Sequence, residues 1–205
     1  MKLKNIWIFN HYATNMFKDR GGRHYYFAKN LIERGYDVTI FCASTMHNSP
    51  ESIDIGQNKY IIDSVDGIKF VFVKTSNYVG NGKQRIKNMI DFYRNLFPTS
   101  KHYAELSGRP DTIIASSIHP LTLVAGIKIS KKFGIPCICE VRDLWPLSLV
   151  EMGKIKDNNF ITNILYKMEH YIYKKADSII FTMEGGRNYI LDKGWNDVDL
   201  SKIYH

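Results

Sequence analysis

Short apolar runs recur along the chain, and the segments between them carry a helical period. The runs are residues 6–9 (IWIF), 38–43 (VTIFCA), 68–74 (IKFVFVK), 112–117 (TIIASS), 135–141 (IPCICEV) and 178–182 (SIIFT). They are rich in β-branched and aromatic side chains and too short for buried helices. Several are apolar almost throughout, the pattern of strands covered on both faces. A further run, 60–63, leads to 68–74 through the turn Val65-Asp66-Gly67. The tail DLSKIYH reads as the start of one more strand.

The intervening helices are expected at 24–34, 83–97, 121–133, 159–175 and 186–191. In the first, Phe27 and Leu31, and Ala28 and Ile32, recur at helical spacing, and Gly35 stops it. In the second, Ile86, Met89, Ile90, Tyr93 and Phe97 form one apolar face, with Lys83, Lys87 and Arg94 off it. The fourth has a stripe of Phe160, Ile161, Ile164, Leu165, Met168, Tyr171 and Ile172. Residues 44–59 read as loop. Strand alternating with helix predicts an α/β fold, a doubly wound and mostly parallel sheet with helices on both faces. Nothing in the 205 residues marks a second domain.

Composition narrows the function classes less than the pattern does. A formal net charge of +8 favours anionic partners (phosphates, nucleic acid or an acidic membrane surface) without choosing among them. Cys42, Cys137 and Cys139 sit in strand runs and predict core thiols in a reducing cytosol. The basic start Met1–Lys4 is followed by too short an apolar run for a signal peptide, and no run approaches a membrane span. A cytoplasmic location is expected, with contact at a membrane surface left open.

In an open parallel sheet, ligands bind beyond the carboxyl ends of the strands. Polar residues gather there: Asn10 and His11 after the first strand, then Gly21 and Gly22; His119 after TIIASS; Arg142 and Asp143 after IPCICEV; Glu184 after SIIFT. The stretch ICEVRDLWP ends an apolar strand in charge, which predicts either a site or a local ion pair. Each residue has a plain alternative. The glycine pair serves a tight turn or the close approach of a diphosphate to a helix N-terminus. Glu184 serves a site or a helix macrodipole, and Trp145 is most simply a packing residue. No Walker A motif, serine nucleophile elbow or metal-ligand spacing is present.

These segments together resemble a known family. NHYA, GGRHYYFAKNLIERGYDVTIFCAS, VDGIKFVFVKTSNYVGNGKQRIKNMIDF, PDTIIASSIHPLTLVAG and EVRDLWPLSLVEMG, in this order, resemble retaining glycosyltransferases of family 4. The kin in view are bacterial enzymes of capsule and O-antigen (lipopolysaccharide) synthesis, some of them aminosugar, fucosamine-type, transferases. The resemblance implies the GT-B architecture of two Rossmann-like domains facing across a cleft. Residues 1–205 would be the N-terminal, acceptor-side domain, with the C-terminal donor-binding domain outside this chain. No glutamate pair here has the spacing of that second domain's donor-binding pair.

The resemblance also implies roles. Gly21, Gly22, Arg23 and His24 match the loop facing donor phosphates and acceptor, and His119 the position beside the transferring sugar. Arg142 and Asp143 match the cleft wall, and Asn81 the acceptor side. Ile118 departs from kin that carry a small residue or proline there. The implied partners are a nucleotide sugar as co-substrate and a glycan or lipid-linked saccharide acceptor, with no nucleic acid. No cofactor and no metal are expected, and this chain alone is expected to be inactive. Two other readings stand beside it: half of a nucleotide-sugar epimerase, or a non-catalytic module or subunit binding an anionic glycan or lipid head group.

Overall fold

The computed structural model describes residues 4–47 and 49–205, so of the basic start only Lys4 lies among them. The strands are β1 (Asn5–Phe9), β2 (Asp37–Ala43), β3 (Tyr60–Val65), β4 (Ile68–Val73), β5 (Thr112–Ser116), β6 (Cys137–Val141), β7 (Ser178–Phe181) and β8 (Ile203–Tyr204). They form one sheet in the order β3-β4-β2-β1-β5-β6-β7-β8. Every pair is parallel except the β3–β4 hairpin. The chain begins in the middle at β1, winds out to β3 and β4, and returns to lay β5 against β1's other side. The winding direction reverses between β1 and β5, and that reversal opens a crevice at their carboxyl ends.

Among the described residues seven α-helices accompany the strands: α1 (Thr14–Asp19), α2 (Arg23–Glu33), α3 (Lys83–Ser107), α4 (Pro120–Phe133), α5 (Leu147–Glu151), α6 (Phe160–Lys175) and α7 (Gly186–Asp192). Successive strand residues point to opposite faces, and both faces are covered. Ile6, Ile8, Ile40 and Phe70 pack with Tyr25 and Ala28 of α2. Trp7, Phe9, Phe41 and Val71 pack with Phe92, Leu96 and Tyr103 of α3 and with α4. Trp7 is fully buried, its ring centroid 4.8 Å from Phe41, 5.4 Å from Tyr103 and 5.9 Å from Phe133. The three cysteines are free and buried, as predicted.

Four features depart from the sequence reading. Helix α3 runs ten residues past Phe97, through Pro98, to Ser107. Proline removes one helical hydrogen bond, but Thr99, Ser100 and Tyr103 beyond it are buried, and packing outweighs that loss. The buried stripe of α3 is also rotated. Met89, Phe92 and Leu96 are inside, whereas Ile86 and Ile90 are exposed. Buried Asn88, bonded to Thr45 and Ser76, turns the helix that way. On α6, Phe160, Ile161 and Ile164 lie outside the core, because the helix meets α4 only through its later turns. The short helices α1 and α5 carry too few periodic residues to be read from sequence.

Helix α4 approaches β5 so closely that Gly126 is required. A Cβ there would lie 2.5 Å from the Ala115 Cβ and 3.2 Å from the Cys137 Sγ. Gly126→Ala is therefore expected to destabilise the fold by about 1–3 kcal/mol through overpacking. A shift in the urea midpoint measures it, and an unchanged midpoint contradicts the close approach.

Candidate functional site

The carboxyl ends of β1, β5 and β6 converge on Glu140. This residue is the last but one of β6, on the face that α2 covers. One carboxylate oxygen accepts from Arg23 Nε at 2.7 Å. The other accepts from Ser116 Oγ at 2.6 Å and pairs with His24 Nε2 at 2.9 Å. His24 is held from behind by Asn10, whose Nδ2 donates to His24 Nδ1 at 2.8 Å. Asn10 Oδ1 accepts from the Tyr12 backbone N–H, which fixes the amide's orientation. His24 therefore carries its proton on Nε2 and donates it to Glu140. Burial pushes the Glu140 carboxyl up, but hydrogen bonds from His24, Ser116 and Arg23 outweigh burial and hold it at about 2.

This network sets the Gly21-Gly22 loop. Gly22 is the N-cap of α2 with φ 98° and ψ 169°, a region essentially confined to glycine. A Cβ there would also press on Met16 of α1. The loop thus reaches Arg23 and His24 just as they meet Glu140, with the first N–H groups of α2 left without helical partners. Arg23 spends only its Nε on Glu140, and its side chain is 53% exposed.

On the other face of the sheet rim stands a second cluster. His11 Nδ1 and His119 Nε2 are 2.6 Å apart, and both residues are buried. The His11 ring lies stacked between Tyr12 and Phe92. Arg85, in the first turn of α3, donates to Tyr12 Oη at 3.1 Å and to Asn81 Oδ1. Beside them His47 Nδ1 meets Tyr78 Oη at 2.6 Å. Arg85 has no carboxylate partner among the described residues. Burial, joined by this positive charge, lowers His47 and takes His119 to about 3. Burial and then His119 itself do the same for His11, with Arg85 adding to them.

The sequence-predicted residues divide between these places. Gly22, Arg23 and His24 belong to the Glu140 network, with Gly21 one residue before it. His119 belongs to the histidine cluster, with Asn81 at its exposed margin. Arg142 and Asp143 follow β6 at the same rim, where Arg142 N donates to Ser117 Oγ at 3.0 Å. Asp143 and Trp145 line a small cavity with Ser117 and Pro120 at this rim and with Glu169 of α6. Glu184 lines a shallow depression with Arg23, Thr182 and His205. Gly21 and Asn81 are not neighbours, since α2 and α3 cover opposite faces. Sequence reasoning missed Glu140, Arg85 and Asn88. Glu140 carried a readable signal, an acid inside a buried strand that must find partners. So did Arg85, a cation at a helix N-terminus where the macrodipole disfavours it. Among the described residues no group of three His, Cys, Asp or Glu side chains is placed to hold a metal.

The mostly parallel α/β fold matches the N-terminal Rossmann-like domains of GT-B glycosyltransferases. Sucrose-phosphate synthase from Thermosynechococcus elongatus matches over 92% of this chain and 45% of its own, with TM-score 0.61 and 13% identity. The catalytic domain of starch synthase IV from Arabidopsis thaliana, bound to ADP and acarbose, matches over 100% and 51%, with TM-score 0.59 and 12% identity. The chain thus spans about half the length of these structures. A family model described as Glycosyltransferase Family 4 matches residues 23–205, and the chain belongs to that family. A search of curated proteins finds no match.

An acid held below its ordinary 4.5 stabilises the fold above that value and loses the contribution as pH falls toward about 2. Glu140→Gln is expected to cost about 1.5–3 kcal/mol at neutral pH. The gap to the parent protein then closes across that acid window. Urea titrations at neutral and acid pH measure it, and an equal gap at both ends rules out this linkage.

Proposed function

We propose that this chain is the acceptor-side half of a retaining glycosyltransferase, moving a sugar from a nucleotide sugar to a growing cell-surface polysaccharide of the capsule or O-antigen kind. Family membership supports the reaction class. The observation that carries the site is the convergence of Asn10, His24, Ser116 and Glu140 with the His11–His119 pair at one sheet rim. In this reading the Gly21-Gly22 loop, the free N–H groups of α2 and the Arg23 guanidinium face the donor's diphosphate and offset the charge that develops on it as it leaves. His24 positions that loop. His119 faces the transferring sugar, which passes through an oxocarbenium-like state. Asn81 with Arg85 lies on the acceptor side, and Arg142, Asp143 and Glu184 border the cleft. Holding the acceptor hydroxyl close to the anomeric carbon is this half's contribution to the rate. The proposal includes metal independence, an opposite donor-binding domain and a cytoplasmic site of action.

The test is a donor-hydrolysis and transfer assay on this chain, then with a donor-binding domain added in trans, with and without a chelator. No turnover alone, turnover on complementation, and indifference to chelator are expected. His119→Ala is expected to lower the restored rate by about a hundredfold or more. Robust turnover by the chain alone removes the half-enzyme reading, and an unaffected His119→Ala removes that residue from the site.

The proposal extends to a lipid-linked acceptor met at the inner face of the plasma membrane. Val79, Ile86 and Ile90 are exposed beside Lys83 and Lys87 at the start of α3, next to the Asn81–Arg85 margin. Apolar and basic side chains so mixed suit an anionic interface. No described helix is long and apolar enough to cross a membrane. Flotation with anionic liposomes is expected at low salt and weakened at high salt. Failure to float at low salt overturns this extension.

A further inference from the structure

We propose that the layer formed by α3, α4 and α6 lies flat on an anionic lipid bilayer, with the start of α6 as a second insertion point beside that of α3. This rests on the membrane contact proposed above for the start of α3, and gives that contact a whole face and an orientation.

The argument begins with charge. Helices α3, α4 and α6 together hold eleven lysines and arginines against three acids, Asp91, Glu105 and Glu169. Their excess equals the formal +8 of the whole chain, so the rest of the molecule is balanced. On the opposite face of the sheet, α1 and α2 set Lys18, Arg23 and Lys29 against Asp19 and Glu33. Arg23 there is paired with Glu140. Of the cations on the α3–α4–α6 layer, only Lys87 and Lys174 pair with a carboxylate among the described residues, Asp91 and Asp197. The positive field of the protein therefore has a side.

Exposed apolar residues occupy the same side. Helix α4 lies between α3 and α6, and packed helices stand about 8–10 Å apart. The starts of α3 and α6 are thus roughly 20 Å from each other on one layer. At the start of α6, Phe160 and Ile161 are 79% and 63% exposed, with Ile164 and Met152 exposed beside them. Lys154, Lys156 and Lys167 surround them in solvent, against Glu151 and Asp157. A soluble polyanion can use the lysines but has nothing to offer Phe160 and Ile161. A bilayer uses both, since apolar side chains enter the acyl boundary while the basic ones meet anionic head groups. Two apolar points with a basic helix between them define a plane. The sheet then lies parallel to the bilayer, and the crevice at its rim opens along the lipid surface.

The test reads insertion and orientation separately. The three native cysteines are buried, so Ile161→Cys takes an environment-sensitive fluorophore at that position alone. Vesicles of phosphatidylcholine with phosphatidylglycerol are expected to brighten and blue-shift the label, and vesicles of phosphatidylcholine alone are not. The same label at Lys29→Cys, on α2, is expected to stay unchanged, and a shift there overturns the orientation. Lys131→Gln combined with Lys132→Gln removes charge from the last turn of α4. That turn is about 20 Å from the rim, beyond the Debye length of about 8 Å at physiological salt. Flat docking predicts a loss of about tenfold or more in vesicle affinity for this variant. Unchanged affinity means that only the rim touches lipid, and overturns the proposal. A protein that floats without a shift at residue 161 also overturns it, yet leaves the contact at α3 standing, whereas failure to float removes both. Retention on heparin without that shift assigns the face to a soluble polyanion and overturns the proposal as well.

Discussion

A carboxylate buried near the end of β6 has no solvent to neutralise it, and three segments of chain supply what water does not. Arg23 and His24 come from the first turn of α2, Ser116 from β5, and Asn10 from β1 through His24. Removing any one partner leaves Glu140 charged in a poor dielectric. The glycine loop therefore cannot move independently of β6, although more than a hundred residues separate them in sequence. This is a local ion pair in energetic terms, and it also aims a helix N-terminus into the crevice between β1 and β5.

A buried asparagine and a buried histidine also stand on the other face of the rim, with different chemistry. Asn10, its amide oriented by the Tyr12 N–H, sets His24, whereas Asn88 donates to Thr45 and to the Ser76 carbonyl and His11 meets His119. The first histidine ends on a carboxylate and is structural. The second ends on His119, with nothing beyond it. Arg85 supplies the electrostatic difference, since a cation without a carboxylate partner among the described residues favours neutral imidazoles around it. The rim thus has an anion-compensated pole beside α2 and a cationic, neutral-histidine pole beside α3.

Outside the crevice, the apolar residues left uncovered are concentrated at helix starts. Val79, Ile86 and Ile90 flank the beginning of α3, and Phe160, Ile161 and Ile164 begin α6. Helices of a parallel sheet start near the carboxyl ends of the preceding strands, so both sets lie toward the same rim. Their helices bury later turns well, which is why periodicity alone counted the exposed residues as core.

What the sequence by itself determined was the class of fold and the end of the sheet where its polar residues gather. Short apolar runs such as IWIF and VTIFCA admit only strands buried on both faces, and the helices between them force parallel crossovers. The strand ends then identify His119 and the glycine loop as rim residues. Tertiary structure alone decided which polar residues act together. Glu140 reads as an acid in need of partners, but only the packing of α2 shows that Arg23 and His24 supply them. Pro98 reads as a helix stop until Tyr103 is seen against Trp7. Asn88 is not on the apolar face read from sequence, and only the packed helix shows it buried. Local propensity and period are properties of neighbours in sequence. Partners for buried charges and amides come from segments tens of residues away, so only the packed chain selects them.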